Sequence, residues 1–187
     1  MLRKTLRYFT ITAGFIVLMG LTQISMASAS NGKAVSPSSQ QTKSLQDKVR
    51  HSLLMLPYYG VFDEISFDIN GDTVTLTGEV RRPLLTSEAE DAVRKVDGVT
   101  KVVNNIEILP LSTADDSLRW RMYRAIYSQS GFERYAIQAV KPIRIIVKNG
   151  NVTLVGVVGS QLDKTLAGTA ARNVPFAFSV TNDLTIG

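Results

Sequence analysis

Trp120, Arg121, Tyr123, Arg124 and Tyr127 lie within one short stretch and carry the side chains best suited to meet a charged, partly apolar surface. At 100° per residue on a helix, Trp120, Tyr123, Arg124 and Tyr127 share one side, with Arg121 at its border. Leu118, Met122, Ile126 and Gln129 share the other. Trp and Tyr join an apolar ring to a polar tip, which suits the boundary between headgroups and acyl chains. An arginine near an anionic surface contributes about 1 kcal/mol, screened by salt. The set predicts weak, reversible docking on an anionic phospholipid surface rather than stable insertion. The competing expectation is that Trp120 is an interface anchor buried against another part of the chain.

Catalytic chemistry has little to stand on. There is no cysteine, and His51 is the only histidine, so thiolate or histidine metal sites and histidine triads have no material. His51 is expected to be exposed. Asp63 and Glu64 are expected to be a solvated loop pair rather than an acid/base dyad, and Arg81–Arg82 an exposed loop. No set of titratable residues converges, so no enzyme, cofactor or metal is expected. The formal net charge is +5, but Arg3, Lys4 and Arg7 fall in an expected targeting segment, which leaves +2 and argues against a nucleic-acid partner.

The elements that must position these residues occur twice. Ile65, Phe67 and Ile69 fall on Ile143, Ile145 and Val147 at an offset of 78, and Val74, Leu76, Gly78 and Val80 fall on Val152, Leu154, Gly156 and Val158. Each copy alternates apolar and other residues about an Asn-Gly turn signal, which reads as a β-hairpin. Pairing sets Ile69 opposite Val74, Phe67 opposite Leu76 and Ile65 opposite Gly78. Gly78 and Gly156 are expected to leave room for something packed closely on that face. A helix over about 44–56, with Leu45, Val49, Leu53 and Leu56 as its stripe, precedes the first hairpin, and Ser44 is its candidate cap. One over about 116–129, capped by Asp115, Asp116 or Ser117, precedes the second. Helices starting near Pro83 and Ser160 follow the hairpins, the latter capped and carrying Leu162, Leu166, Ala170 and Ala171. Each repeat ends in a strand, with Asn104 and Asn182 as structural hydrogen-bonding residues.

The order is α-β-β-α-β, twice. The expected fold is α+β: two tandem domains, over 43–110 and 115–187, each a three-stranded mixed sheet covered by two helices. The second carries an insertion within 131–142. Residues 1–29 read as a secretory signal peptide: a basic start, an apolar run over 11–21 and Ala27-Ser28-Ala29 at the cleavage position. Residues 30–42 read as a flexible leader.

The repeats differ in charge. Residues 43–109 carry 8 Lys and Arg against 11 Asp and Glu, net −3; residues 110–187 carry 9 against 5, net +4. Outward positions of the first hairpin are polar (Asp68, Thr77, Glu79), whereas their counterparts are Ile146, Val155 and Val157. That apolar face predicts cover by the first repeat, by the insertion or by a second subunit.

The hairpins ending VTLTGEV and VTLVGVV, and the strands Val102-x-Asn104-x-Ile106-x-Ile108 and Val180-x-Asn182-x-Leu184-x-Ile186, resemble the BON-domain family over essentially all the chain after residue 43. Gly98-Val99 fits the family pattern before the last strand; the second repeat departs there, with Pro175-Phe176-Ala177. The resemblance implies a non-catalytic periplasmic or secreted protein, peripherally associated with phospholipid membranes or with other envelope components. Two functions follow as expectations: an anionic-lipid module working through the second repeat, or a scaffold or holdase-like chaperone binding envelope proteins. A homo-oligomer is compatible with either.

Overall fold

The structure is a computed structural model that describes residues 37–187. The expected signal peptide and residues 30–36 of the leader lie outside the described residues. The first helix, α1 (Pro37–Leu54), begins seven residues ahead of the expected Ser44. Proline suits a first helical turn, where its missing N–H has no intrahelical partner to lose. Then follow β1 (Glu64–Asn70), β2 (Thr73–Val80), α2 (Pro83–Arg94) and β3 (Lys101–Ile108). The second repeat runs α3 (Thr113–Tyr127), a short α4 (Glu133–Ala136) within the insertion, β4 (Ile143–Lys148), β5 (Asn151–Val158), α5 (Gln161–Arg172), β6 (Ser179–Asn182) and β7 (Thr185–Ile186).

The fold is α+β with two mixed sheets. In each, the hairpin is antiparallel and the strand after the second helix pairs parallel to the hairpin's second strand, giving the orders β1-β2-β3 and β4-β5-β6. The expected register is present: Ile69 faces Val74, Phe67 faces Leu76 and Ile65 faces Gly78, with the same pairs 78 residues on. In the second turn Asn149 and Gly150 both take positive φ (53° and 77°), as a two-residue hairpin turn with the strands' own twist requires.

Gly78 and Gly156 serve the backbone rather than close packing on the sheet face. Their φ values are +124° and +117°, and a Cβ would stand 2.2 Å from the Glu64 oxygen and 1.9 Å from the Pro142 oxygen. Only glycine combines that φ with that approach.

Asn104 and Asn182 have the structural role expected of them. The Nδ2 of Asn104 donates to the Thr86 carbonyl at 2.8 Å, and that of Asn182 to the Lys164 carbonyl at 2.7 Å, tying each strand to the helix before it. Each Oδ1 accepts the N–H two residues on. In the second repeat the last strand is split around Asp183 and Leu184, and both halves pair with β5.

Two apolar cores form, one per sheet. Val49, Leu53, Leu76 and Leu85 are central to the first; Met122, Ile126, Ile145 and Leu154 to the second. The insertion contributes Phe132 and Tyr135 to the second core. Leu162 is 66% exposed, because the buried face of α5 runs through Asp163, Ala167 and Ala170, about 100° round the helix from it. Ser160 caps α5 as expected, accepting from the Asp163 N–H at 3.1 Å. The cap of α3 is Ser112, upstream of the three candidates, and the helix starts three residues earlier than expected.

Candidate functional site

The first repeat meets the second sheet at the middle of its β4 edge. The segment between α1 and β1 runs beside β4, where the Ile145 N–H donates to the Val61 carbonyl at 2.9 Å and Arg144 donates to the Gly60 carbonyl at 2.6 Å. The Arg144 guanidinium also lies 4.4 Å from the Tyr59 ring centre. Burial in this seam pushes the Tyr59 hydroxyl up to about 12, although Arg144 pulls the other way. Lys148, at the far end of β4, reaches Glu79 at 2.9 Å and Glu107 at 2.6 Å. Arg144, Ile146 and Lys148 alternate onto one face of β4, so the buried Ile146 sits between two contacts with the first repeat. The apolar outer face expected there is thus covered at Ile146, by the first of the expected covers; Val157 remains half exposed.

Asp63 departs from the expectation of a solvated pair. It is 4% exposed, and its two oxygens accept the N–H groups of Arg81 (2.7 Å) and Gly60 (3.0 Å). It therefore holds the Gly60–Phe62 segment in shape, and the neighbouring Glu64 carboxyl is raised by burial. Phe62, beside it, is counted in the second repeat's core although it belongs to the first repeat's chain.

Phe62 meets the helix that carries the candidate residues. Its ring packs edge-on to Trp120 at 5.2 Å and to Tyr123 at 6.3 Å. Trp120 nevertheless stays 52% exposed. It is thus anchored along one edge and open along the other, between the two expectations for it. Arg124 is exposed, and Arg121 and Tyr123 are half-buried. Tyr127 does not join them: it is 7% exposed, and its hydroxyl donates to the Ile143 carbonyl at 2.7 Å. The insertion brings Phe132 and Tyr135 into this core, which widens the buried arc at the end of α3 beyond the apolar stripe.

Arg121 turns to the opposite flank of the helix. Its guanidinium lies 5.1 Å from the ring centre of Phe176. Its Nε is buried without a hydrogen-bond partner, and among the described residues neither Arg121 nor Arg124 has a carboxylate partner. Here α3, the β4–β5 turn and the loop after α5 enclose a groove of about 600 Å³, walled by Leu118, Phe176 and Phe178. Asp115 also lines it, but its oxygens are taken by the N–H groups of Asn149 (2.9 Å) and Gly150 (2.8 Å). The first repeat has a groove of about 460 Å³ at the equivalent place, lined by Leu45, Lys48, Asp97 and Gly98. Phe176 and Phe178 occupy the positions of Gly98 and Thr100, so the phenylalanine pair belongs to the second repeat alone. The departure at Pro175-Phe176-Ala177 was the signal available in the sequence.

The arrangement offers aromatic edges and free guanidinium groups on one helix face and no nucleophile with a base beside it. Among the described residues no group of acidic or histidine side chains could hold a metal ion, and no helix is long and apolar enough to cross a membrane.

Two tandem α+β modules, each a hairpin and a parallel strand backed by two helices, with their distinctive side chains on a surface, define a class of binding modules. The BON domain model matches residues 41–110 and 131–187, and the chain belongs to that family. Its members are non-catalytic binding domains associated with membranes and the cell envelope. The second match begins after α3, yet Leu118, Met122 and Ile126 of α3 are central to the second core. No curated protein matches the chain. Among solved structures, it is similar to the C-terminal domain of CdsD, a structural protein of the type III secretion system of Chlamydia trachomatis. Identity is 17%, the match covers 76% of this chain and 64% of that one, and the TM-score is 0.29. A second structure of CdsD from the same organism matches at 13% identity, covering 77% of this chain and 92% of that one, also with a TM-score of 0.29.

Proposed function

We propose that this chain is a non-catalytic envelope protein, periplasmic or secreted, that docks peripherally on anionic phospholipid membranes through its second repeat. The observation that carries the reading is the solvent face of α3. It presents a half-exposed Trp120 beside an exposed Arg124 with no carboxylate partner, in the half of the chain with net charge +4. Arg121 and Tyr123 border the face; Tyr127, buried, supports it from below. A partly inserted indole with two arginines gives reversible, salt-sensitive attachment.

Trp120 is the only tryptophan, so its fluorescence reports this face alone. Anionic vesicles are expected to shift its emission to the blue, with salt reversing the shift, and Trp120→Glu is expected to lose co-sedimentation while remaining folded. Emission unchanged by vesicles, with no co-sedimentation, moves the reading to a scaffold or chaperone for envelope proteins.

A further inference from the structure

Phe176 is held in a conformation that L side chains rarely adopt. Its φ is 70° and it is 76% exposed, whereas the first repeat has Gly98 there, at φ 100°. A left-handed backbone costs a residue with a Cβ free energy that glycine avoids. The cost goes to a ring that stands mostly in water. Phe178, two residues on, is 82% exposed. Exposed strain of this kind points to a ligand rather than to the fold.

The surroundings indicate which ligand. The groove behind Phe176 and Phe178 has apolar walls, and at its rim Arg121 carries a charge with no anionic partner and an unsatisfied buried Nε. The lining carboxylate, Asp115, is fully used by backbone N–H groups. The fitting occupant is therefore apolar along its length and anionic at one end. Around α3 the exposed Trp120 and Arg124 lead on to the half-buried Arg121, so the groove continues the face already read as membrane-docking.

We infer that the groove seats one anionic phospholipid, its phosphate on Arg121 and an acyl chain along Leu118, Phe176 and Phe178. This rests on the docking reading and goes further. Surface docking needs only a bilayer, whereas the groove takes a single lipid molecule. The first repeat, with Lys48 and Asp97 lining its smaller groove and no aromatic side chain there, does not.

The test uses the full chain with Phe176→Gly and Phe178→Thr, the residues the first repeat has at these positions, and with Trp120→Glu in parallel. Each is titrated with a short-chain phosphatidylglycerol below its micelle concentration, followed by backbone amide shifts, and sedimented with phosphatidylcholine vesicles with and without phosphatidylglycerol. The wild type is expected to bind the monomeric lipid saturably, with shifts centred on Asn149, Gly150 and the loop after α5. The two phenylalanine variants are expected to bind it roughly tenfold or more weakly, the scale of losing one buried aromatic side chain, with thermal stability no lower. Trp120→Glu is expected to keep monomer binding and lose vesicles. Wild-type affinity for the monomer in both phenylalanine variants overturns the groove. It leaves the docking reading standing if Trp120→Glu still loses vesicles. A wild type that ignores vesicles as well overturns both. A wild-type dimer that Phe176→Gly dissociates gives the groove to a second copy and overturns the lipid.

Discussion

Arg144 donates to the carbonyl oxygen of Gly60 across 84 residues of chain, at 2.6 Å. With the Ile145–Val61 bond beside it, the contact makes the first repeat's loop a border for the second repeat's sheet. An exposed strand edge is a liability that proteins cover; here the preceding repeat covers it at Ile145, and Tyr127 and Arg119 of α3 take the carbonyls of Ile143 and Val147 on either side.

Replacing Arg144 by Met is expected to keep the stem's packing and lose the charge-assisted bond. The Gly60 carbonyl would keep only the Asp63 N–H, at 3.2 Å. Losing a hydrogen bond from a charged donor costs about 2 kcal/mol. The loss should fall on the second repeat, whose core holds Phe62 through this seam. Denaturant unfolding followed by Trp120 fluorescence checks it: the midpoint falls, and the indole emission moves toward that of free tryptophan.

The two hairpin glycines and the turn glycines separate two kinds of constraint. Gly156→Ala places a Cβ 1.9 Å from the Pro142 oxygen, so the hairpin must open; the expected cost is about 3 kcal/mol or more. Gly71→Ala meets nothing within 4 Å and is strained only by its φ of +64°, at about 1 kcal/mol. Thermal melts of the two variants should differ accordingly.

The hairpins were legible in the sequence because a period of two admits only one register once the turn is known. The structural Asn104 and Asn182 were legible because a polar residue in an apolar strand needs a partner. What escaped depends on distant neighbours. Asp63 is adjacent to Glu64 in sequence, yet its partners are the N–H groups of Gly60 and Arg81, and only the loop's path brings them together. Tyr127 lies on the outer arc of an isolated helix, but β4 draws it in, its hydroxyl donating to the Ile143 carbonyl. The candidate face was legible as residue types on α3; its flanks, Phe62 and Phe176, come from loops with no periodicity to read.

Asp163 gives the chain an acid-sensitive joint between the insertion and α5. Burial alone would raise its carboxyl, but hydrogen bonds from Ser160, Tyr135 and Arg134 prevail and hold it below the usual value of 3.8. A group depressed in the folded state stabilises above its unfolded pKa, and that stability is lost as pH falls through the folded value. Asp163→Asn is therefore expected to be less stable than wild type near neutrality, with the gap closing in strong acid. Urea midpoints measured from neutral pH down to about pH 2, below the unfolded-state value, check this.

Phe176 supplies the opposite kind of prediction, a substitution that raises stability. Glycine there removes the left-handed penalty of about 1–2 kcal/mol. It also removes the Arg121 contact with the ring, worth about 0.5–1 kcal/mol at an exposed site, and adds freedom to the unfolded chain. The ring is mostly in water, so little burial is lost. The balance favours Phe176→Gly by a few tenths of a kcal/mol, or leaves it level with wild type. The reciprocal change, Gly98→Phe, is expected to cost the first repeat about 1–2 kcal/mol, because the same φ is demanded with no arginine over the ring. Paired thermal melts decide the matter. A clear loss in Phe176→Gly assigns the phenylalanine to the fold, and stability held or gained assigns it to what the groove binds.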